Sequence, residues 1–163
     1  MMKRVMSLTT AAILCASQVS ALSCMRPDAA RTFQWASDAE ESYVVLMGEF
    51  AFDAPNADGS DMNNPQEISV PARFAGSYLG ADGFVGGAAL DLMITFTCAG
   101  PWCGSLEPNG EEMIAFVQQA DSGYVLEIGP CYGNTFSNPR AGAMQQVESC
   151  MRGEGCEEGA LMR

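Results

Sequence analysis

The sequence predicts a small, mainly β domain in which five strands form an antiparallel barrel or sandwich. A short N-terminal helix and a C-terminal helix flank the strands, and disulfides staple the whole. Three observations carry this. Five short runs rich in β-branched and aromatic residues recur between Gly, Pro, Asn and Asp punctuation. The 163 residues contain neither an internal repeat nor a second domain-sized segment. Cysteine is frequent and histidine is absent. A five-stranded Greek-key barrel of the OB-fold type fits the size best, although strand count alone is shared with other small β folds.

The chain opens with Lys3 and Arg4, an apolar run from Val5 to about Ala16, and then Val19-Ser20-Ala21. That order reads as a secretory signal peptide cleaved after Ala21, with a second acceptable site after Ser23. The apolar run falls short of the ~20 residues that span a bilayer, and Leu22-Ser23 matches poorly the small residues expected before a lipidated Cys24. The reading therefore divides the chain into a signal, 1–21, and one domain, 22–163, whose last residues, 152–163, form a loose tail held by Cys156.

Pro27 and Asp28 suit a helix start, and "AARTFQWASDAEESY" follows with Phe33 and Ala36 on one face. Tyr43–Phe52 reads as the first strand, and "DAPNADGSDMNNPQE" (53–67) as a polar loop. Ile68–Leu79 is the second strand, with Pro71 arguing for an edge or a bulge. Gly80–Gly87 reads as a turn, and Ala88–Cys98 as a third strand with Leu90, Leu92, Ile94 and Phe96 on one face. Residues 112–119 and 123–130 form a hairpin across Ala120-Asp121-Ser122. Pro139–Met151 is the final helix, with Asn138 as its N-cap.

Charge and composition exclude several functions. Without Lys3 and Arg4, six basic groups, all Arg, face twenty carboxylates, a net charge of −14. Such a surface repels nucleic acid, which is held by Lys and Arg. No histidine means no His-based triad, general base or metal ligand. Six cysteines remain once Cys15 departs with the signal: Cys24, Cys98, Cys103, Cys131, Cys150 and Cys156. An even count in an exported domain implies a disulfide framework, with 15 connectivities open to six thiols.

"FTCAGPWCG" (96–104) has the letters of a thioredoxin loop but not its spacing. Four residues separate Cys98 from Cys103, and a turn-rich stretch rather than a helix follows. Zinc lacks a ligand set. Asp53, Asp58, Asp61 and Glu67 do not match an EF-hand loop and read as solvated. Glu107, Glu111 and Glu112 lie on a turn with nothing to place them across a cleft. Met47, Met93, Met113 and Met144 read as core filler. No catalytic residue, metal or cofactor is assigned.

Several spaced features align along the chain: Cys24, Pro27, Phe33 nine residues after the cysteine, "SYVVLMGEF", Cys103-Gly104, Gly110, "EMIAFV", a strand running into Cys131, and a closing helix. From about Leu22 to Met151 the chain resembles the netrin-like domain, the OB-fold module shared with the tissue inhibitors of metalloproteinases. In those inhibitors a Cys-x-Cys N-terminus is pinned to the barrel, and its α-amine and first carbonyl bind the catalytic zinc of a protease.

Here only the second of that pair exists, and Leu22 stands where the first would be. The resemblance implies a Cys24–Cys131 bridge. Cys103, deprived of its family partner, then pairs with Cys98, and Cys150 pairs with Cys156. A second scheme, Cys24–Cys103 with Cys98–Cys131, stays open. The resemblance further implies a protein-interaction module outside the cytoplasm, in periplasm or medium, with a zinc metalloprotease as one candidate partner. The contact surface would be Leu22, Ser23, Cys24, Met25, Trp102 and Tyr132. The competing reading is an OB-type binder of oligosaccharide or another small ligand, and an enzyme comes third.

Overall fold

The computed structural model describes residues 22–55, 67–108, 110–131, 133–137 and 141–159. Among these residues, eight strands and two helices occur in the order α1 (Ala29–Asp38), β1 (Ser42–Phe52), β2 (Ile68–Gly80), β3 (Gly83–Phe96), β4 (Cys98–Ala99), β5 (Trp102–Cys103), β6 (Met113–Ala120), β7 (Gly123–Ile128), β8 (Thr135–Ser137) and α2 (Ala141–Arg152). Strands β1, β2, β3, β7 and β6 hydrogen-bond in that circular order, and β6 returns to β1, so the sheet closes into a five-stranded barrel. One neighbour pair, β3 with β7, is parallel, and the others are antiparallel. Closure removes the exposed edges that an open sheet of this size would carry. The predicted fold class is the one observed.

Two apolar layers hold the barrel. Leu46, Phe50, Phe74, Leu92, Ile94, Phe96, Val117, Leu126 and Ile128 fill its interior. A second layer sits under the helices, where Ala29, Ala143 and Val147 meet Val45, Leu79, Ile114 and Phe116. Strand β6 serves both layers. Its alternate side chains Met113, Ala115 and Val117 point inward, while Ile114 and Phe116 meet the helices. That explains the unbroken apolar run "MIAFV", since a strand covered on both faces has no polar alternation. Phe33 and Ala36 of α1 pack on this second layer, as their spacing predicts. Met93 is the exception among the four methionines assigned to the core: it points outward and is exposed.

The glycine run at 83–87 corrects the sequence reading. The turn is only Ala81–Asp82, and β3 begins at Gly83. Gly76 pairs with Ala88 and Ser77 with Gly86, so Gly87 is an extra residue in β3. Its φ of 82° is what a bulge asks of glycine, so residues read as a turn are a bulge inside a strand. Pro71 stands where β2 has become an edge, as the sequence reading argued. The β1–β2 ladder stops at Phe52↔Ala72, so Pro71, paired only with Met93, has no β1 donor site to forfeit. Opposite glycines, Gly48 and Gly76, let β1 and β2 approach closely; a Cβ on either would strike backbone of the other strand and the Phe74 ring.

Asp28 caps α1, its Oδ1 accepting from Arg31 N at 3.0 Å. Its other oxygen accepts from Gly159 N at 2.8 Å. The C-terminal stretch is therefore not loose over its described part. Cys150–Cys156 closes it, Arg31 pairs with Glu158 at 3.0 Å, Gln34 Nε2 donates to Cys156 O, and Gln146 Nε2 donates to Glu157 O. Residues 160–163 lie outside the described residues, as do Asn138 and Pro139. Burial is the largest influence on the Asp28 carboxyl and would raise its pKa. The Arg31 and Gly159 amides and the Arg31 guanidinium together outweigh it and hold the value below the ordinary one.

A lowered folded-state value adds stability above the ordinary aspartate range, lost as pH falls through the folded value. Asp28→Ala is therefore expected to cost about 1 kcal/mol near neutrality. Thermal unfolding of the two proteins should converge at acid pH, below the lowered Asp28 value, once the wild-type carboxyl is protonated. An unchanged difference at low pH would contradict this account of the knot.

Candidate functional site

The strongest sequence candidates gather at one end of the barrel. Strand β3 ends at Phe96, and Thr97 N donates to Ile128 O at 3.0 Å. The chain then makes the tight hairpin β4–β5, in which Cys98 lies opposite Cys103 and Ala99 opposite Trp102. Gly100 and Pro101 form its two-residue turn. Gly100 has φ 59°, the positive value a type II′ turn requires at its first central position. The hairpin is closed by Cys98–Cys103 and by Gly104 N donating to Thr97 O at 2.9 Å.

Gly104 explains why a glycine follows the cysteine. It is buried, and a Cβ there would run into the carbonyl of Ile128 and the backbone of Gly129. Only a residue without a side chain lets the base of the hairpin lie directly on the exit of β7. Spacing could not show this, since the obstructing atoms belong to residues 24 and 25 positions away. The Cys-Gly pair is thus two devices, a covalent staple and a steric permission.

The N-terminal segment is tied to the same exit. Cys24 is bonded to Cys131, three residues past Ile128. Three extended residues span at most about 10 Å, so hairpin and N-terminal segment are rooted close together. Further ties fix the direction of entry into α1: Arg31 Nη1 donates to Arg26 O at 3.3 Å, and Thr32 Oγ1 lies 2.9 Å from Gly133 O in the segment after β7. Of the six sulfurs, Cys150 and Cys156 make the third bond. The alternative scheme, with Cys24 on Cys103, is not formed.

What this edge presents is apolar and exposed. Met25 is 74 % exposed, Trp102 42 % and Leu22 37 %. Single exposed apolar side chains are ordinary on a protein surface; what sets these three apart is that both segments bearing them are rooted at one exit of β7. Ser23 is exposed as well. Tyr132, assigned to the same surface, lies outside the described residues, as do Asp58 and Asp61 of the acidic loop. Among the described residues, no group of three or more His, Cys, Asp and Glu side chains is placed to hold a metal ion. Glu107, Glu111 and Glu112 are exposed.

A second concavity, of ≈ 560 Å³, lies on the outer face of β2 and β3 beside Phe52, Pro71, Arg73 and Asp91. Arg73 and Asp91 lie 3.8 Å apart across the strands, and both are almost fully exposed. An exposed pair of this kind contributes little to stability.

No protein-family model, curated protein or solved structure matches this chain. Three disulfides point to an oxidising, extracytoplasmic environment. Among the described residues no helix is long and apolar enough to cross a membrane.

Proposed function

We propose that the chain is an exported protein-binding module whose working surface is the edge formed by Leu22–Met25 and the Trp102 hairpin. One observation carries the reading: two segments bearing exposed Leu22, Met25 and Trp102 are both fastened to the Ile128–Cys131 exit of β7. Anchoring lowers the ordering cost that a free N-terminus would incur on binding. With signal cleavage after Ala21, Leu22 supplies a free α-amine two residues from a disulfide-held position. An α-amine has a pKa near 8 and can shed its proton to bind a metal. The partner class this arrangement fits best is therefore a zinc metalloprotease, approached by the Leu22 amine and carbonyl with Met25 and Trp102 alongside. Secretion to periplasm or medium belongs to the same proposal, as does likeness to the netrin-like domain.

The barrel-face reading ranks second. Its concavity offers the Arg73–Asp91 pair for hydroxyl groups, but the one aromatic among its described lining residues, Phe52, is half-buried and leans on Phe96 at 6.1 Å. Sugar rings are held by exposed aromatic faces, and this one is turned into the core.

The decisive experiment is a panel of zinc proteases assayed with the protein beginning at Leu22, before and after acetylation of its α-amine. Inhibition that disappears on acetylation is expected. Inhibition that survives acetylation would remove the amine from the mechanism, and none across the panel would remove proteases as the partner class.

A further inference from the structure

A separate cleft opens at the far end of β3 from the edge described above. There the β1–β2 ladder stops at Leu46↔Tyr78, while β1 reaches back to Ser42 and β2 runs on to Gly80 unpaired with each other. The splayed strands, the second half of α1 and the end of α2 leave a cleft of ≈ 180 Å³. Phe33, Ala36, Tyr43, Val44, Tyr78 and Met151 line it. Tyr78 and Met151 are exposed at 47 % and 38 %, and at 49 % exposure the Trp35 ring lies 5.0 Å from that of Tyr43. Apolar cavities of about 150 Å³ accept a benzene ring, so this one admits a single aromatic or leucine-sized group.

Its surroundings select the kind of molecule that carries the group. Asp38, Glu40 and Glu41, all exposed, occupy the link between lining residues Ser37 and Tyr43. Exposed Asp82 sits in the turn just past Leu79. The nearby cation, Arg152, is engaged by Glu154 at 2.8 Å and lies within the fields of Glu148 and Asp82. A net charge of −12 over the whole chain disfavours a second copy as occupant and favours a cationic one.

We propose that this cleft is a binding site for a basic partner segment, which inserts one aromatic or leucine-sized side chain between α1, the start of β1 and Met151 while its cationic groups lie on the acidic rim. The site is independent of the N-terminal edge and stands or falls separately from it.

The test uses the chain from Leu22 with Trp102→Phe, which leaves Trp35 as the only tryptophan. The probe is the capped peptide Lys-Lys-Phe-Lys-Lys, followed by Trp35 emission. Saturable binding is expected, weaker by roughly tenfold or more when Phe is replaced by Gly, the usual worth of one apolar group in a pocket. Glu-Glu-Phe-Glu-Glu should not bind, and added salt should weaken the basic peptide. Ala36→Phe fills the cleft and should abolish binding. Glu40→Gln with Glu41→Gln changes only exposed groups, leaves folding intact, and should weaken binding several-fold. Equal binding of all three peptides, no saturation, or undiminished binding by either variant would overturn the site. A concentration-dependent dimer abolished by Ala36→Phe would make a second copy the occupant and overturn the proposal equally.

Discussion

Gly104→Val is expected to be among the most damaging single substitutions at the described positions. The glycine lies against the Ile128 carbonyl and the backbone of Gly129, and neither is the end of a side chain that can swing away. Accommodating a Cβ means moving the hairpin base off the β7 exit and breaking the Thr97–Ile128 hydrogen bond. Overpacking a fixed site typically costs about 1–3 kcal/mol, and a backbone obstacle puts this one at the upper end or beyond. Denaturant unfolding would show it as a lower midpoint. Gly133→Ala, whose Cβ meets nothing, is the control expected near zero. A Gly104→Val protein as stable as wild type would mean the hairpin does not rest on β7.

Cutting Cys24–Cys131 is expected to have an effect of similar or larger size by a different route. Its 107-residue separation makes the constraint on the unfolded chain large, about 4.7 kcal/mol on the loop-entropy model. The Cys98–Cys103 bridge spans five residues, and the same model gives it roughly 2 kcal/mol. Replacing each pair by Ser should therefore destabilise unequally, the long bridge costing about twice as much. The long bridge also holds the N-terminal segment, so its loss should weaken partner binding even at temperatures where the barrel survives. Equal destabilisation by the two double substitutions would show that local strain or residual unfolded structure governs, not loop length.

The parts of this structure that were legible in the sequence are those decided by nearest neighbours along the chain. Alternation placed Leu92, Ile94 and Phe96 inside, the Asp121-Ser122 turn placed the β6–β7 hairpin, and Pro27-Asp28 announced the start of α1. What could not be read are contacts that bring distant backbone together. The glycines at 86 and 87 look like a turn until Ser77 is set opposite Gly86 and one residue is left over. The stretch from Gly153 to Gly159 looks like a tail until Asp28, 131 residues earlier, takes the amide of Gly159. The same limit applied to the candidate site. Met25 and Trp102 belong to the contact surface that the resemblance implies, but their exposure and their common root at Ile128–Cys131 are seen only in the fold, through a disulfide, a hydrogen bond and a missing Cβ.

The central claim is that the anchored N-terminal edge is the surface this protein works with. Its most direct test is partner capture from an extracytoplasmic fraction, comparing the wild-type chain from Leu22 with Met25→Glu combined with Trp102→Glu. Both positions are exposed, so the variant should fold and melt as wild type does. The account predicts that a partner retained by wild type at near-stoichiometric amount is lost by the variant. The same partner captured equally by both proteins would contradict it.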